Sequence, residues 1–330
     1  MSSLRDNVYK KATDFPKVKL GISSCLLGDN VRFNGGHVKD RFLADSLGRY
    51  VDWVPVCPEV EIGMGVPREN IRLVGDPDKP KLIAPKSGTD YTYQMESWAK
   101  HRVEQLKELG LHGYVLKSDS PSCGLSRVRV YGKSSVPVRK GTGVFARELS
   151  GNVTAIALEE EGRLKDYRIR ENFVERIFTY QRWNETVMDN PTPAKLVSFH
   201  TRHKCILMAH NQRNQTQLGR LVATAGTRDI SDVVYEYEEL LVQTMNLIAT
   251  NKKNTNVIHH LMGFLKTYLD EEDKKELLDL VEQYRMGLVP LLVPLTLLQH
   301  YIRRHPVDDW VKQQEYLNPY PSTLGLRNQP

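Results

Sequence analysis

Three short apolar runs in the first half of the chain each break into a polar turn that carries a cysteine. Val18 to Ile22 leads into Cys25, within Gly21-Ile-Ser-Ser-Cys-Leu-Leu-Gly28. Val51 to Val56 leads into Cys57, within Val54-Pro-Val-Cys-Pro-Glu59. Tyr114 to Leu116 leads into Cys123, within Lys117-Ser-Asp-Ser-Pro-Ser-Cys-Gly124. The runs read as buried strands, and the Gly, Pro and Ser around each thiol bend the backbone sharply or let it approach a ligand. Three thiols on loops at strand ends suggest a tripod that leaves one metal position open, an arrangement suited to chemistry rather than to structure.

Helical spacing alternates with these strands. Lys39 to Leu47 and Tyr91 to Leu109 carry apolar residues at helical intervals, and Gly110 is a natural C-cap. Lys81 to Ala84 reads as a short extended segment and Thr154 to Leu158 as a last strand. This βαβ rhythm predicts an α/β, Rossmann-like N-terminal domain with a mainly parallel sheet, in which ligands bind at the carboxyl ends of the strands. All three cysteines fall there. Beyond the charged Glu159-Glu-Glu-Gly-Arg163 segment, read as a boundary, nearly every stretch is helical in pattern, from Ile169 to Arg304, followed by a Pro-rich tail expected to be irregular. The expected domains are therefore 1–160, carrying the thiols, and an all-α domain over 161–330.

No apolar run reaches the roughly 18 residues that span a bilayer, and Met1 to Asn7 has no apolar signal core. The expected location is cytoplasmic, with reduced thiols, so four widely spaced cysteines argue for metal or catalytic use over a disulfide framework. The absence of any C-x-x-C pair is less typical of zinc and compatible with an iron–sulfur cluster. Cys205, in apolar helical surroundings, reads as core. The net charge of +6 is a mild excess; what matters is local clustering, chiefly in the second half.

Several side chains accompany the thiols. Glu59, two residues after Cys57, is placed to move a proton to or from water or a leaving group. Ser118, Asp119, Ser120 and Ser122 make a hydroxyl-rich approach to Cys123, and either orient substrate or form turns. Arg32 and Asn34, just past Cys25, are candidates for substrate contact; Arg68 and Arg72 are similar. Gly141-Thr-Gly143 reads as a turn and not as a phosphate loop. In the helical part His200, His203 and His210 lack the adjacent carboxylate a metal site would want. Arg202, His203 and Lys204, flanked by the aromatic rings of Phe199, Trp183 and Tyr180, and the pair Lys252 and Lys253 are the candidates for phosphate contact and base stacking.

Taken in order, Ser24-Cys-Leu-Leu-Gly28, Val56-Cys-Pro-Glu59 and Ser120-Pro-Ser-Cys-Gly124 resemble the thiouracil desulfidase (TudS) family over about residues 15 to 160. The remainder resembles the helical YbgA-type domain, through the segment from Glu159 to Phe173 and His200-Thr-Arg-His-Lys204. The fused arrangement is similar to that of desulfidases acting on 4-thiouridine in tRNA. The resemblance implies a [4Fe-4S] cluster held by Cys25, Cys57 and Cys123, its fourth iron open to substrate sulfur. It also implies a catalytic Glu59 and a catalytic serine that is Ser118 or Ser120. Thiolated tRNA is the implied partner. The alternatives are a desulfidase of free thiouracil or thionucleosides, a non-catalytic cluster-bearing sensor or RNA-binding protein, and a structural zinc protein.

Overall fold

A computed structural model describes residues 15–132, 136–153 and 155–329. The N-terminal residues Met1 to Asn7 and Thr154, on which expectations were placed, lie outside these. The described chain forms two compact units, one over Lys17–Asp166 and one over 167–329 that also takes in Phe15 and Pro16.

The first unit carries eight strands: β1 (Val18–Ser23), β2 (Val51–Val56), β3 (Arg72–Val74), β4 (Lys81–Ile83), β5 (Gly113–Leu116), β6 (Val128–Tyr131), β7 (Val138–Gly141) and β8 (Ala157–Glu160). Its helices are α1 (Pro58–Glu61), α2 (Thr92–Glu108) and α3 (Val144–Asn152), and a π-helical turn covers Phe42–Ser46 in the stretch where helical spacing was read. Sheet order is β2-β1-β5-β8, parallel throughout, as expected from the sequence. Every residue of β5 and all but Lys19 of β1 are buried, the signature of parallel strands covered on both faces. Gly21 is required by close approach: a Cβ there would sit 2.1 Å from the Tyr114 ring. Helix α2 ends before Gly110, which takes φ +63°, and its Ala99, Val103 and Leu106 pack with Tyr114, Leu116, Phe145 and Leu149 in one core.

A second sheet, β4-β3-β6-β7, mostly antiparallel, was not anticipated. Its strands have three or four residues, too short for an alternating pattern to stand out. Gly141-Thr-Gly143 is the turn between β7 and α3 that the sequence suggests.

The second unit is helical, with α4 (Tyr167–Trp183), α5 (Pro193–His210), α6 (Gln212–Thr224), α7 (Ile230–Met245), α8 (Asn251–Met262), α9 (Glu271–Arg285), α10 (Leu292–Arg304) and the short α11 (Asp309–Lys312). Side chains of Thr192, Asn211, Asp229, Thr250 and Asp270 accept N–H bonds at the starts of α5 to α9, satisfying donors that a helix start leaves open. Helix α4 is buried almost all round from Asn172 to Trp183 and forms the axis of this unit. The tail is irregular but not loose: Tyr316, Tyr320 and Arg327 are buried in it. Among the described residues no helix is long and apolar enough to cross a membrane.

Candidate active site

The strand order brings the three cysteines side by side. Strands β2, β1 and β5 are neighbours, about 4.8 Å apart as any such strands are, and each runs into its cysteine turn at the same edge of the sheet. Cys25 lies in the 3-10 turn Ser24–Leu26 directly after β1. Cys57 caps α1 directly after β2, where Pro58 starts the helix without needing an N–H bond. Cys123 follows β5 by a tight turn: its N–H donates to Ser120 Oγ (3.1 Å), and Gly124 N–H donates to the Ser120 carbonyl (2.9 Å). Gly143 lets α3 close over this turn, since a Cβ there would meet the Ser122 backbone at 2.5 Å.

All three thiols line one cavity of about 420 Å³, together with Glu59, Arg32, Arg68, Lys117, Ser118, Asp119 and Ser120. Burial pushes the Cys25 thiol up to about 11, with Lys117 pulling it back, and the Cys57 thiol up to about 12, with Glu59 adding to the effect. Burial also holds Cys123 well above the ordinary thiol value. Buried thiols with no counter-charge stay protonated, whereas a bound cationic centre deprotonates its ligands. The donor set fits an iron–sulfur group: three soft sulfurs and no histidine on the wall. Among the described residues no three Cys, His, Asp or Glu side chains form a group that would hold a single metal ion. The three cysteines reach the cavity from three separate turns, and a multi-iron cluster is bound by cysteines distributed around it.

Glu59 is held from several sides. Ser122 Oγ donates to its Oε1 at 2.5 Å, Arg68 Nη2 lies 3.8 Å from its Oε2, and Cys57 Sγ lies 3.6 Å from the same oxygen. Because Ser120 Oγ accepts two backbone N–H groups and sits 2.9 Å from Ser122 Oγ, its own hydroxyl is left to donate to Ser122. The result is a hydroxyl chain, Ser120 to Ser122 to Glu59. Ser122 is fully buried and reaches the cavity only through Glu59 and Cys123, so its expected direct contact with substrate gives way to a supporting position. Arg68 anchors Glu59 by donating to the Val31 and Gly65 carbonyls (2.8 and 3.0 Å).

Ser118 belongs to a different cluster. Its hydroxyl donates to Glu161 Oε1 at 2.7 Å, its N–H donates to Oε2 at 2.6 Å, and Lys117 Nζ donates to Oε1 at 2.5 Å. Glu160 takes the Leu125 N–H beyond Cys123 (2.8 Å). In the sequence Glu159-Glu-Glu reads as a boundary, whereas Glu160 and Glu161 hold the turns beside Cys123. The signal was there: the run ends the strand beside β5, whose turn carries Cys123. Arg32 lines the cavity; Asn34 does not, and its Oδ1 instead accepts the Gly36 N–H (3.1 Å) within its own turn.

The helical candidates for nucleic-acid contact separate. His203 is 2% exposed, stacked on Phe199 at 3.9 Å, and burial lowers its pKa to about 3. Trp183 lies flat on Tyr237 and edge-on to Phe199, and Tyr180 is buried with them, so these rings make core and are not available to stack on bases. Arg202 pairs with the buried Glu315, Lys204 lies 5.4 Å over the Trp310 ring, and Lys253 donates to the His210 and Ile248 carbonyls. Lys252 alone of this set is exposed. His200 and His210 serve Tyr237 and Glu175, and Cys205 is core, as its apolar neighbours indicated.

Residues 20–161 match the family model described as 2-thiouracil desulfurase, and residues 204–321 match DUF1722, a family described as a protein of unknown function. The uncharacterized protein YbgA of Escherichia coli K12 is 28% identical over 162 residues, 49% of this chain and 95% of YbgA. The uncharacterized protein YbbK of Bacillus subtilis 168 is 32% identical over 111 residues, 31% of this chain and 71% of YbbK. Among solved structures, a [4Fe-4S]-dependent thiouracil desulfidase, TudS, matches at 28% identity and a TM-score of 0.38, covering 46% of this chain and 95% of that one. The chain belongs to the 2-thiouracil desulfurase (TudS) family, as a member that carries a DUF1722, YbgA-type domain in the same polypeptide.

Proposed function

We propose that this protein is a [4Fe-4S]-dependent desulfidase that removes sulfur from 4-thiouridine in tRNA, giving uridine and sulfide. The observation that carries the reading is the convergence of Cys25, Cys57, Cys123 and Glu59 on one cavity. When bound by the three cysteines, the cluster supplies an iron open to the thiocarbonyl sulfur, a Lewis acid for which sulfur is a better ligand than oxygen.

The protein's own groups supply the rest. Glu59 takes a proton from water as its oxygen attacks the carbon that bears sulfur. The new C–O bond replaces the C–S bond, the water protons leave with the sulfide, and no electron donor is needed. The Ser120–Ser122 chain keeps the Glu59 carboxylate aimed and hydrogen-bonded. Ser118, held by Glu161 and Lys117, is a hydroxyl on the wall placed to position the base or the water, and Ser120 is another. Arg32 meets the anionic part of the substrate, and Lys252 is the remaining exposed candidate of the helical unit for RNA contact.

The test is sulfide release from tRNA containing 4-thiouridine by anaerobically reconstituted protein, matched to loss of the thiolated base. A second reading is favoured by the cavity volume of about 420 Å³, which accommodates a free thiolated base. Greater activity on free thiouracil than on tRNA would select it; an intact cluster with no release from either would leave a sensor.

A further inference from the structure

The second sheet turns one face to the core and the other outward. Leu73, Leu82, Val128 and Val130 are buried on the inner face. Alternation then sends Arg72 of β3, Arg129 and Tyr131 of β6, and Lys81 of β4 to the other side. The Arg72 guanidinium lies over the Tyr131 ring at 4.8 Å, which fixes the two on the same face. Arg129 stands directly opposite Arg139 of β7 in the antiparallel register. A bulge follows at once: Val128 pairs with Gly141, so Lys140 is the extra residue and is exposed.

Two like charges directly opposite across strands destabilise a sheet, so this register costs stability that packing does not explain. Arg139 is partly compensated by Asp119 on the cavity wall (3.2 Å). Arg129 and Lys140 have no ion-pair or hydrogen-bond partner among the described residues, and Arg129 itself lines the cavity. Arg129 on the central β6 therefore stands at the substrate cavity, with Arg139 and Lys140 of β7 to one side of it and Arg72 of β3 to the other. Three strands about 4.8 Å apart spread these cations over roughly 10 Å, enough for more than one phosphate of a single strand.

We infer that this face is a docking surface for the phosphates of the RNA strand flanking the nucleotide in the cavity. The inference rests on the tRNA reading above and adds to it that the desulfidase unit grips RNA itself. Arg129 would hold the phosphate next to the target base, Arg139 and Lys140 the strand continuing to one side of it, and Arg72 the strand to the other.

The test is binding of labelled tRNA by the full chain across a salt series. The double variant Arg139→Gln/Lys140→Gln is expected to bind about tenfold more weakly at 0.1 M salt, with the slope of log affinity against log salt less steep by about two. Its melting temperature is expected not to fall, because the opposed arginines are relieved. Arg139→Lys/Lys140→Arg is expected to retain affinity, and Lys140→Glu alone, at an exposed bulge, to weaken binding without unfolding. A folded double variant with wild-type affinity and slope overturns the inference and leaves the tRNA reading standing. A wild-type protein that binds no tRNA overturns both, and activity on free thiouracil then shows whether the desulfidase remains.

Discussion

In the α/β unit a lysine, a serine and a glutamate meet at the wall of a cavity; in the helical unit an arginine, a histidine and two glutamates meet inside a core. Lys117, Ser118 and Glu161 hold one another within 2.5 to 3.2 Å, and Lys117 and Ser118 line the cavity. Arg327 joins Glu171 (3.0 Å) and Glu175 (2.9 Å), and His210 completes the group on Glu175 (3.2 Å). A carboxylate with a cationic partner holds a serine beside the thiols in one place and ties a tail to a helix in the other. What separates the two is the cavity each borders: about 420 Å³ and lined by three thiols in the first, about 40 Å³ and without a thiol in the second. Cys123 and Cys205 make the same point: both are buried, and only the first lines a pocket beside other thiols.

The largest effect should come from exchanging the thiols. Cys25→Ser, Cys57→Ser or Cys123→Ser is expected to abolish the iron–sulfur absorption and all sulfide release, while Cys205→Ala keeps both and costs ~1 kcal/mol in urea unfolding. An active, cluster-loaded Cys123→Ser would break the comparison. Next, Glu59→Gln should keep the cluster's absorption and lose about 10²-fold or more in turnover, the usual scale for a lost acid–base group; full activity would remove Glu59 from the reaction.

The carboxylates of the two clusters should then diverge. Glu175→Gln leaves Arg327 and His210 short of a charge inside the core, and breaking a buried pair costs about 3–5 kcal/mol, read as a lower melting temperature with unchanged specific activity of the folded fraction. Glu161→Gln should do the reverse: about a tenfold loss in kcat as Ser118 loses its hold, with little change in melting.

Acidification sharpens the contrast more gently. In the helical unit burial lowers His200 to about 4 and His203 to about 3; in the α/β unit it lowers His112 to about 4. The folded values lie below the unfolded value near 6.5. The fold thus favours neutral imidazole, and this contribution is complete above pH 6.5 and lost as pH falls toward 4 and 3. Between pH 7 and 4, hydrogen exchange corrected for intrinsic rates should show the helical unit losing more protection than the α/β unit. Smallest of all, Asn34→Ala should change activity by less than twofold, since its side chain serves its own turn.

Much of the site was legible in the amino-acid sequence. Cysteine turns after apolar runs and Gly110 past a helix end are local signals, each written within a few residues. What is not legible there is any contact with a neighbour far along the chain. Ser122 reads as a substrate contact in the sequence, whereas its hydroxyl serves Glu59; Glu161 reads as a boundary, whereas its carboxylate holds Ser118. His203 and the rings of Phe199, Trp183 and Tyr180 read as an RNA surface because a basic, aromatic stretch does not reveal which side of its helix is buried.

The sequence by itself determined the strand–turn–cysteine units, the parallel sheet they imply and the helical second half, because hydrophobic period, Gly, Pro and caps act over one or two turns of chain. Only the tertiary structure decided which charged and hydroxyl groups work together. Those bonds span 43 residues from Ser118 to Glu161, 63 from Glu59 to Ser122 and 152 from Glu175 to Arg327. A charge carries no periodicity that names its partner; the partner is whichever side chain the order of strands and helices brings within hydrogen-bonding distance.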